Sequence, residues 1–440
     1  MENRLALEFF IPHEKEGDYL TIPFQMPENT AEFTLQYHYP THHHQKKPIE
    51  GGHFTASQRI NIIDLGLIGP EGEQVGASGS NKDRFFINAQ KATPGYSPHP
   101  LTPGEWSILV GAYQIAPQGV TVTYQLTFTP KKRRLLMGDL HTHTIASDGV
   151  LSLSELASHA QSHGLDFLGI TDHNQMADPA KLNEINGITL IPGVEWTHFK
   201  GHANFLGVGQ PYDPPFFTHT FEEVQDRFQS ANERGALIVI NHPCDDQCGF
   251  HFDMDKLPYD CLEIWNGPMR ESNLRALGLW QSLLASGKKI TAVGGSDYHR
   301  DHLFQILGGP SLGVYAVSEA PKDIIAAIRA GCSFITYAPD GPQVEIKVGE
   351  AFMGDTVPWQ PGLTLHINAI GLKKGDILRM ITPQDSTDLH QAPSEGKLDL
   401  SLPVPSTGFT RFEIHRTFLP GLPPLPALIS NPVYFKLKAQ

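Results

Sequence analysis

The chain has 440 residues, of which 40% are hydrophobic and 18% charged; it is too long for one average domain and ordinary in composition for a globular protein. Its 33 Lys and Arg against 47 Asp and Glu leave a net charge of −14, which excludes the broad positive surface that non-specific nucleic-acid or anionic-membrane binding needs. The cysteines Cys244, Cys248, Cys261 and Cys332 form no dense framework and predict a reducing, cytoplasmic setting. The opening residues have no apolar signal core, and no apolar run reaches the ~20 residues that span a bilayer.

Residues 1–132 read as an all-β domain. Val120, Val122, Tyr124, Leu126 and Phe128 alternate with polar residues, as do Trp106, Ile108 and Val110 after the turn Thr102-Pro103-Gly104. Period two marks half-buried strands, and the Gly- and Pro-rich punctuation predicts short antiparallel strands in a sandwich. His42, His43 and His44 sit among Pro and Lys and are expected in a solvated loop. Lys131-Lys132-Arg133-Arg134 reads as a linker rather than a nucleic-acid patch, given the acidic total.

From 133 to 340 strands alternate with helices. Leu135–Leu140 is strand-like. Ser152-Leu153-Ser154-Glu155 opens a helix with a capping box and Gly164 closes it; Thr220-Phe221-Glu222-Glu223 opens a second, stopped at Gly235. Further strands are predicted at 167–170, 188–194, 237–240, 262–265, 290–293, 313–317 and 333–337, with helices near 273–287 and 321–330. Repeated strand–helix units predict a parallel sheet with helices outside. The region 341–440 returns to β alternation (Val344, Ile346, Val348; Leu363, Leu365, Ile367) and is expected to form a β-rich domain of its own.

Chemistry-bearing residues gather at the C-terminal ends of the apolar runs in the middle region. His141 and His143 are two apart on a strand end and so share a side, with Asp148 close behind. Asp172-His173 ends one run, Glu195 another and His242 another. Asp297 and His299 are again two apart, and His202 follows Glu195. A closed barrel puts site residues at strand C-termini, and so does an open doubly wound sheet; ligands from so many strands favour a distorted barrel. Imidazoles and carboxylates without an obligate thiolate suit Zn, Mn or Fe. Cys244 and Cys248 read as loop residues before they read as ligands. A carboxylate such as Glu195 can bridge two cations, and ions so paired bring a bound water to near-neutral pKa. The resulting hydroxide fits attack on a phosphate ester, whose hydrolysis needs positioning and charge neutralisation most of all.

The pieces Asp139-Leu140-His141-Thr142-His143, Ser147-Asp148-Gly149, Thr171-Asp172-His173, Pro192-Gly193-Val194-Glu195, Asn241-His242-Pro243 and Ser296-Asp297-Tyr298-His299 together resemble the PHP superfamily, named for its polymerase and histidinol-phosphatase members. Gly201-His202-Ala203-Asn204 and the flanking β regions resemble the branch that includes carbaryl hydrolase. The resemblance implies an α/β fold: a distorted, TIM-like (β/α)7 barrel over 133–340, flanked by β-rich domains at 1–132 and 341–440. It implies two or three divalent ions. His141, His143, Glu195 and Asp297 would hold one; Asp148, His173 and His299 a second; Glu195, His202 and His242 a third. Asp148 stands where some relatives carry histidine. Asp139 and Asp172 would orient ligands, with a helix N-cap as the equal alternative for Asp172. Asp297 or His299 would move a proton to the leaving oxygen.

The expected activity is a metal-dependent phosphoesterase for a small phosphate mono- or diester. Carbamate, ester or amide hydrolysis at the same metals is the alternative, and a non-catalytic, metal-stabilised binding module is a third reading. Neither a membrane nor nucleic acid is an expected partner. Arg270 or Arg300 would clamp phosphate or pair on the surface. Trp196 and Trp265 are expected in the core rather than lining a leaving-group pocket.

Overall fold

Period-two alternation builds the first 132 residues. In the computed structural model, which describes residues 3–49, 52–89 and 91–437, these residues form one of two compact units, the other being 133–440. Two four-stranded antiparallel sheets make the first unit, in the orders Asn3–Ile11, Val120–Pro130, Thr30–His38, Arg84–Asn88 and Tyr19–Met26, Gly104–Gln114, Ile62–Ile68, Gln74–Ser78. Every apolar residue of the 120–128 alternation is buried, and both sheets contribute to one core holding Phe33, Phe85, Trp106 and Tyr124. Each such side chain contributes about 1.5–3 kcal/mol of transfer free energy. The histidine tract opens a strand, His42–Ile49, paired with Gly52–Arg59, instead of lying in a loop. His42 and His43 are exposed, and the side chain of His44 lies outside the described residues.

The second unit is a mixed α/β assembly whose main sheet begins β1 (Arg134–Thr142), β2 (Phe167–Ile170), β3 (Thr189–His198), β4 (Gly201–Leu206), β5 (Leu237–Ile240), β6 (Cys261–Asn266), β7 (Thr291–Gly295), β8 (Ser311–Ala316) and β9 (Ser333–Thr336). Its spatial order is β7-β6-β5-β4-β3-β2-β1-β8-β9. Helices α1 (Leu153–Ser162), α2 (Phe221–Glu233), α3 (Glu271–Ala285) and α4 (Pro321–Arg329) fall between strands as the sequence predicts. Both capping boxes form: Ser152 accepts from the Glu155 N–H and Thr220 from that of Glu223, while each glutamate reaches back to its cap residue. Gly164 and Gly235 follow the first two helices at φ of +76° and +83°, the left-handed turn that ends a helix without steric cost to glycine.

The sheet departs from the expected all-parallel arrangement. β1, β2 and β3 are parallel, as are β5, β6 and β7, but β4 runs antiparallel to both β3 and β5, and β8 antiparallel to β1. The reason is covalent reach: only Phe199 and Lys200 separate β3 from β4, enough for a hairpin and too few for a crossover. Nor do residues 341–437 stand apart. β9 hydrogen-bonds Leu425–Ser430, the sheet continues through Gly408–Arg416, Ile377–Ile381 and Ser386–Gln391, and Val344, Ile346, Leu365 and Ile367 join the same buried core.

Candidate metal centre

The C-terminal ends of β1, β2, β3, β5 and β7, with the start of β4, deliver the chemistry-bearing side chains to one place. Three residues there hold a left-handed backbone that non-glycine residues rarely adopt: Asn174 (φ 54°), His242 (φ 28°) and Asp297 (φ 52°). Each such conformation costs on the order of 1–3 kcal/mol and persists only where its surroundings hold it. Here the Asn174 N–H donates to the Glu195 carbonyl (2.8 Å), the His242 N–H donates to Glu263 Oε2 (3.0 Å), and the Asp297 carbonyl accepts from Gln305 Nε2 (2.8 Å).

Glu195 is the hub. Its Oε1 lies 3.3 Å from His141 Nε2, 3.1 Å from His202 Nδ1 and 3.5 Å from His242 Nε2; its Oε2 lies 2.8 Å from His173 Nδ1 and 3.5 Å from His143 Nε2. Asp297 Oδ1 reaches His143 Nε2 at 3.0 Å and His141 Nε2 at 3.4 Å. Around Asp148 Oδ1 stand His299 Nε2 (3.1 Å), His173 Nε2 (3.7 Å) and His143 Nδ1 (4.0 Å). Donor atoms within 4.8 Å of one another make four overlapping sets: His143, Asp148, His173, His299; His141, His143, Glu195; His141, His242, Asp297; and His173, Glu195, His202. Every residue of the sequence-based ligand list therefore lies in one cluster.

The surroundings orient these donors. A carboxylate only accepts, so the His141 Nδ1–H donates to Glu263 Oε1 (3.0 Å) and Nε2 faces the cluster. Likewise the His299 Nδ1–H donates to the Asp297 carbonyl (2.8 Å), leaving Nε2 to face Asp148. Asn241 Nδ2 donates to Glu195 Oε1 (2.9 Å), and the hydroxyls of Thr144 and Ser147 bind Asp172 (2.8 and 2.7 Å). Burial pushes the Glu195 carboxyl up, yet the His141, His173 and His202 imidazoles outweigh it and hold the group well below the usual range. Asp297 is held down in the same way by His141 and His143. Burial opposes charge on His141, but Asp297, Glu263 and Glu195 hold its pKa well above the ordinary value.

The family model for the PHP domain matches residues 139–243, the stretch that supplies His141, His143, Asp148, His173, Glu195, His202 and His242. This chain carries a PHP domain. Over 80 residues it is 48% identical to a 5′-3′ exoribonuclease of Haemophilus influenzae, covering 17% of this chain and 28% of that protein. Over 110 residues it is 36% identical to the 5′-3′ exoribonuclease Rnm of Salmonella typhimurium, covering 23% and 36%. The chain thus spans about a third of the length of these curated relatives. Among solved structures, it is similar to a two-domain protein from Bacteroides vulgatus containing a PHP-like metal-dependent phosphoesterase, at 17% identity and a TM-score of 0.38, over 65% of this chain and 92% of that one.

The residues of this PHP domain fit divalent ions. His141 Nε2, His143 Nδ1 and Glu195 Oε2 are buried and make no hydrogen bond, although polar donors and acceptors crowd around them. Leaving such atoms unpaired costs about 1–3 kcal/mol each, and buried carboxylates ask for a compensating positive charge. Asp139 and Asp172 bind the backbone beside the cluster. Asp139 accepts from the N–H groups of His141, Ser296 and Gly308, and burial still pushes its carboxyl up to about 6; Asp172 binds the loop after β1 and caps no helix. Trp196 and Trp265 are core residues. Glu263 lies within a strand with no motif around it and leaves little mark in the sequence, whereas Asn204 and Asn241 lie in quoted motifs without a role read for them. The one signal of Glu263 is a carboxylate in the middle of the wholly buried run Cys261–Asn266.

Proposed function

We propose that the chain is a divalent-metal-dependent phosphoesterase acting on a phosphate mono- or diester, either a small ester or the end of a nucleic-acid strand. The observation that carries this reading is the set of buried, hydrogen-bond-orphaned donors His141 Nε2, His143 Nδ1 and Glu195 Oε2, converging with the other ligands around Glu195. His141, His143, Glu195 and Asp297 would hold one ion, Asp148, His173 and His299 a second, and Glu195, His202 and His242 a third; Zn, Mn and Fe suit these donors. When bound, such ions supply Lewis-acid neutralisation of phosphoryl oxygens and a water acidic enough to attack at neutral pH.

The chain's own residues do the rest. Asp297 and His299 border a cleft of about 550 Å³ that Asn266, Arg270, Ser272 and Gln305 also line. Asp297 is held ionised by His141 and His143, the form in which it can hold a cation. His299 has its Nδ1–H committed to a carbonyl, so Nε2 is the one nitrogen it has left, either to hold an ion or to exchange a proton with a leaving oxygen. Arg270 donates to Asn266 Oδ1 (3.0 Å) and lies 3.3 Å from Asp245, which fixes its fork where a phosphate oxygen can reach the remaining N–H groups. Two supports for a distorted seven-stranded barrel are the bridge between Thr142 and Tyr298 and the approach of β7 to β1, where a Cβ on Gly295 would lie 2.5 Å from the His141 Cβ. Four free thiols support a cytoplasmic setting, and among the described residues no helix is long and apolar enough to cross a membrane.

The names of the two curated relatives support extending the substrate from small esters to strand ends; the charge of −14 favours contact with a few nucleotides over a long duplex. The test is a hydrolysis panel with protein loaded with Zn, Mn or Fe: p-nitrophenyl phosphate, bis(p-nitrophenyl) phosphate, an aryl acetate and an aryl N-methylcarbamate. Turnover of a phosphate ester, abolished by His143→Ala, is expected. Turnover of the acetate or carbamate alone overturns the reading.

A further inference from the structure

Two-residue hairpin turns favour Asn, Asp and Gly, yet the β3–β4 turn is Phe199-Lys200. Phe199 is 83% exposed, although burying its ring elsewhere would be favourable. The turn also lies between two residues of the cluster, Glu195 on β3 and His202 on β4, and four strand residues place Phe199 about 13 Å along the chain from Glu195.

Beside this turn is a second cavity, of about 280 Å³, lined by His198, Lys200, His219, His251, Phe252 and Lys256 among others. An exposed phenyl ring packs on an imidazole at each of two lining positions. Phe199 stacks on His198 (centroids 4.0 Å apart), and the 53%-exposed Phe217 meets His219 edge-on (5.4 Å). His198 in turn stacks on the buried Trp196 (5.5 Å), and the His251 N–H donates to the Lys200 carbonyl (2.7 Å), so the platform is tied to the sheet. Lys200 Nζ stands 6.0 Å from the Phe199 ring centroid, and among the described residues it makes no ion pair. Asp253 lies 3.5 Å from Lys256 and offsets that charge in part. Aromatic rings beside a lysine without an ion pair, in an otherwise acidic chain, are what a single strand requires: every base has a π-face to stack and every linkage a negative charge.

We propose that this pocket is a stacking subsite for single-stranded nucleic acid, holding a base on Phe199 and a backbone phosphate at Lys200 while a neighbouring phosphodiester lies at the metal centre. The proposal rests on the phosphoesterase reading and names its substrate class as a single strand gripped without base-edge readout.

The test is fluorescence anisotropy of a short, labelled single-stranded RNA with the full chain in EDTA, which makes binding independent of turnover. Wild type is expected to bind with little dependence on base sequence. Phe199→Ala is expected to weaken binding roughly ten-fold, in line with one lost stacked base, with an unchanged melting temperature. Lys200→Ala should reduce the log-affinity against log-salt slope by about 0.7. Hydrolysis of bis(p-nitrophenyl) phosphate by the metal-loaded Phe199→Ala protein should match wild type. The proposal is overturned if wild type does not bind the RNA, or if both variants bind it as wild type does. Phosphate-ester turnover with indifferent variants removes the subsite and leaves the phosphoesterase; variant-sensitive RNA binding without any phosphate-ester turnover removes the phosphoesterase and leaves the subsite.

Discussion

Glu263 fixes which nitrogen His141 offers to the cluster, because its carboxylate can only accept from Nδ1. Its other oxygen accepts from the His242 N–H and from Asn266 Nδ2, so one side chain positions two of the proposed ligands and the Asn266 on which Arg270 leans. Carboxylates behind metal-binding histidines typically contribute 10–100-fold in metal affinity. Glu263→Gln is therefore expected to weaken metal binding by roughly that factor while the chain still folds, as read by competition with a chelator and by far-UV circular dichroism; unchanged affinity would contradict the positioning role. The same residues set a pH dependence. Burial resists charge on His141, but Asp297, Glu263 and Glu195 keep its metal-free pKa well above the ordinary value, and a ligating imidazole must be neutral. Protons then compete with the ion: affinity should rise with pH through the neutral range, with proton release on binding measurable by calorimetry in two buffers of different ionisation enthalpy.

At the scale of elements, β7 and β1 approach closely beside the cluster. A Cβ on Gly295 would lie 2.5 Å from the His141 Cβ and 2.9 Å from Glu263 Oε1. Gly295→Ala is expected to cost about 1–3 kcal/mol through overpacking and to lower metal occupancy with it, as measured by urea midpoint and elemental analysis. A stable, fully loaded variant would show that the contact relaxes freely. What the sequence revealed of this region follows from where the clustered side chains sit. Those at the ends of apolar runs stand out, since a polar residue closing such a run has few structural excuses. Glu263 lies inside its run, and nothing local says which face it takes. β4 was missed as a strand because Gly201-His202-Ala203-Asn204 lacks β-branched residues; its antiparallel direction comes from the two-residue turn before it. The hairpin opening at His42 was hidden by Pro48 and the lysines beside it. Capping boxes and stop glycines, which act within four residues, were read correctly.

At the scale of the molecule, the 341–437 region was expected to stand alone because its alternation resembles that of the first unit; pairing across long sequence separations, such as β9 with Leu425–Ser430, leaves no local trace. Buried ion pairs sit among these late strands. Arg411 pairs with Glu413 (2.6 Å) above the Trp280 ring, and Arg416 pairs with Asp376 (2.6 Å). Burial raises the Glu413 carboxyl, but His415 and Arg411 overcome it and bring the group down to about 2. A depressed carboxylate stabilises the fold fully above its unfolded value of 4.5, and that stability is lost as pH falls from there towards about 2. The loss is on the order of 3 kcal/mol. Urea unfolding across this range should show wild type losing stability more steeply than Glu413→Gln; parallel curves would contradict the pairing.

All of this chemistry depends on whether the cluster around Glu195 holds metal. Elemental analysis of the protein purified without chelator and offered zinc, manganese and iron, beside its Glu195→Gln variant, measures that directly. Two or three divalent ions per wild-type chain and a loss of bound metal in the variant are expected. A wild-type chain that stays metal-free, or a variant as fully loaded as wild type, would contradict a metal centre there.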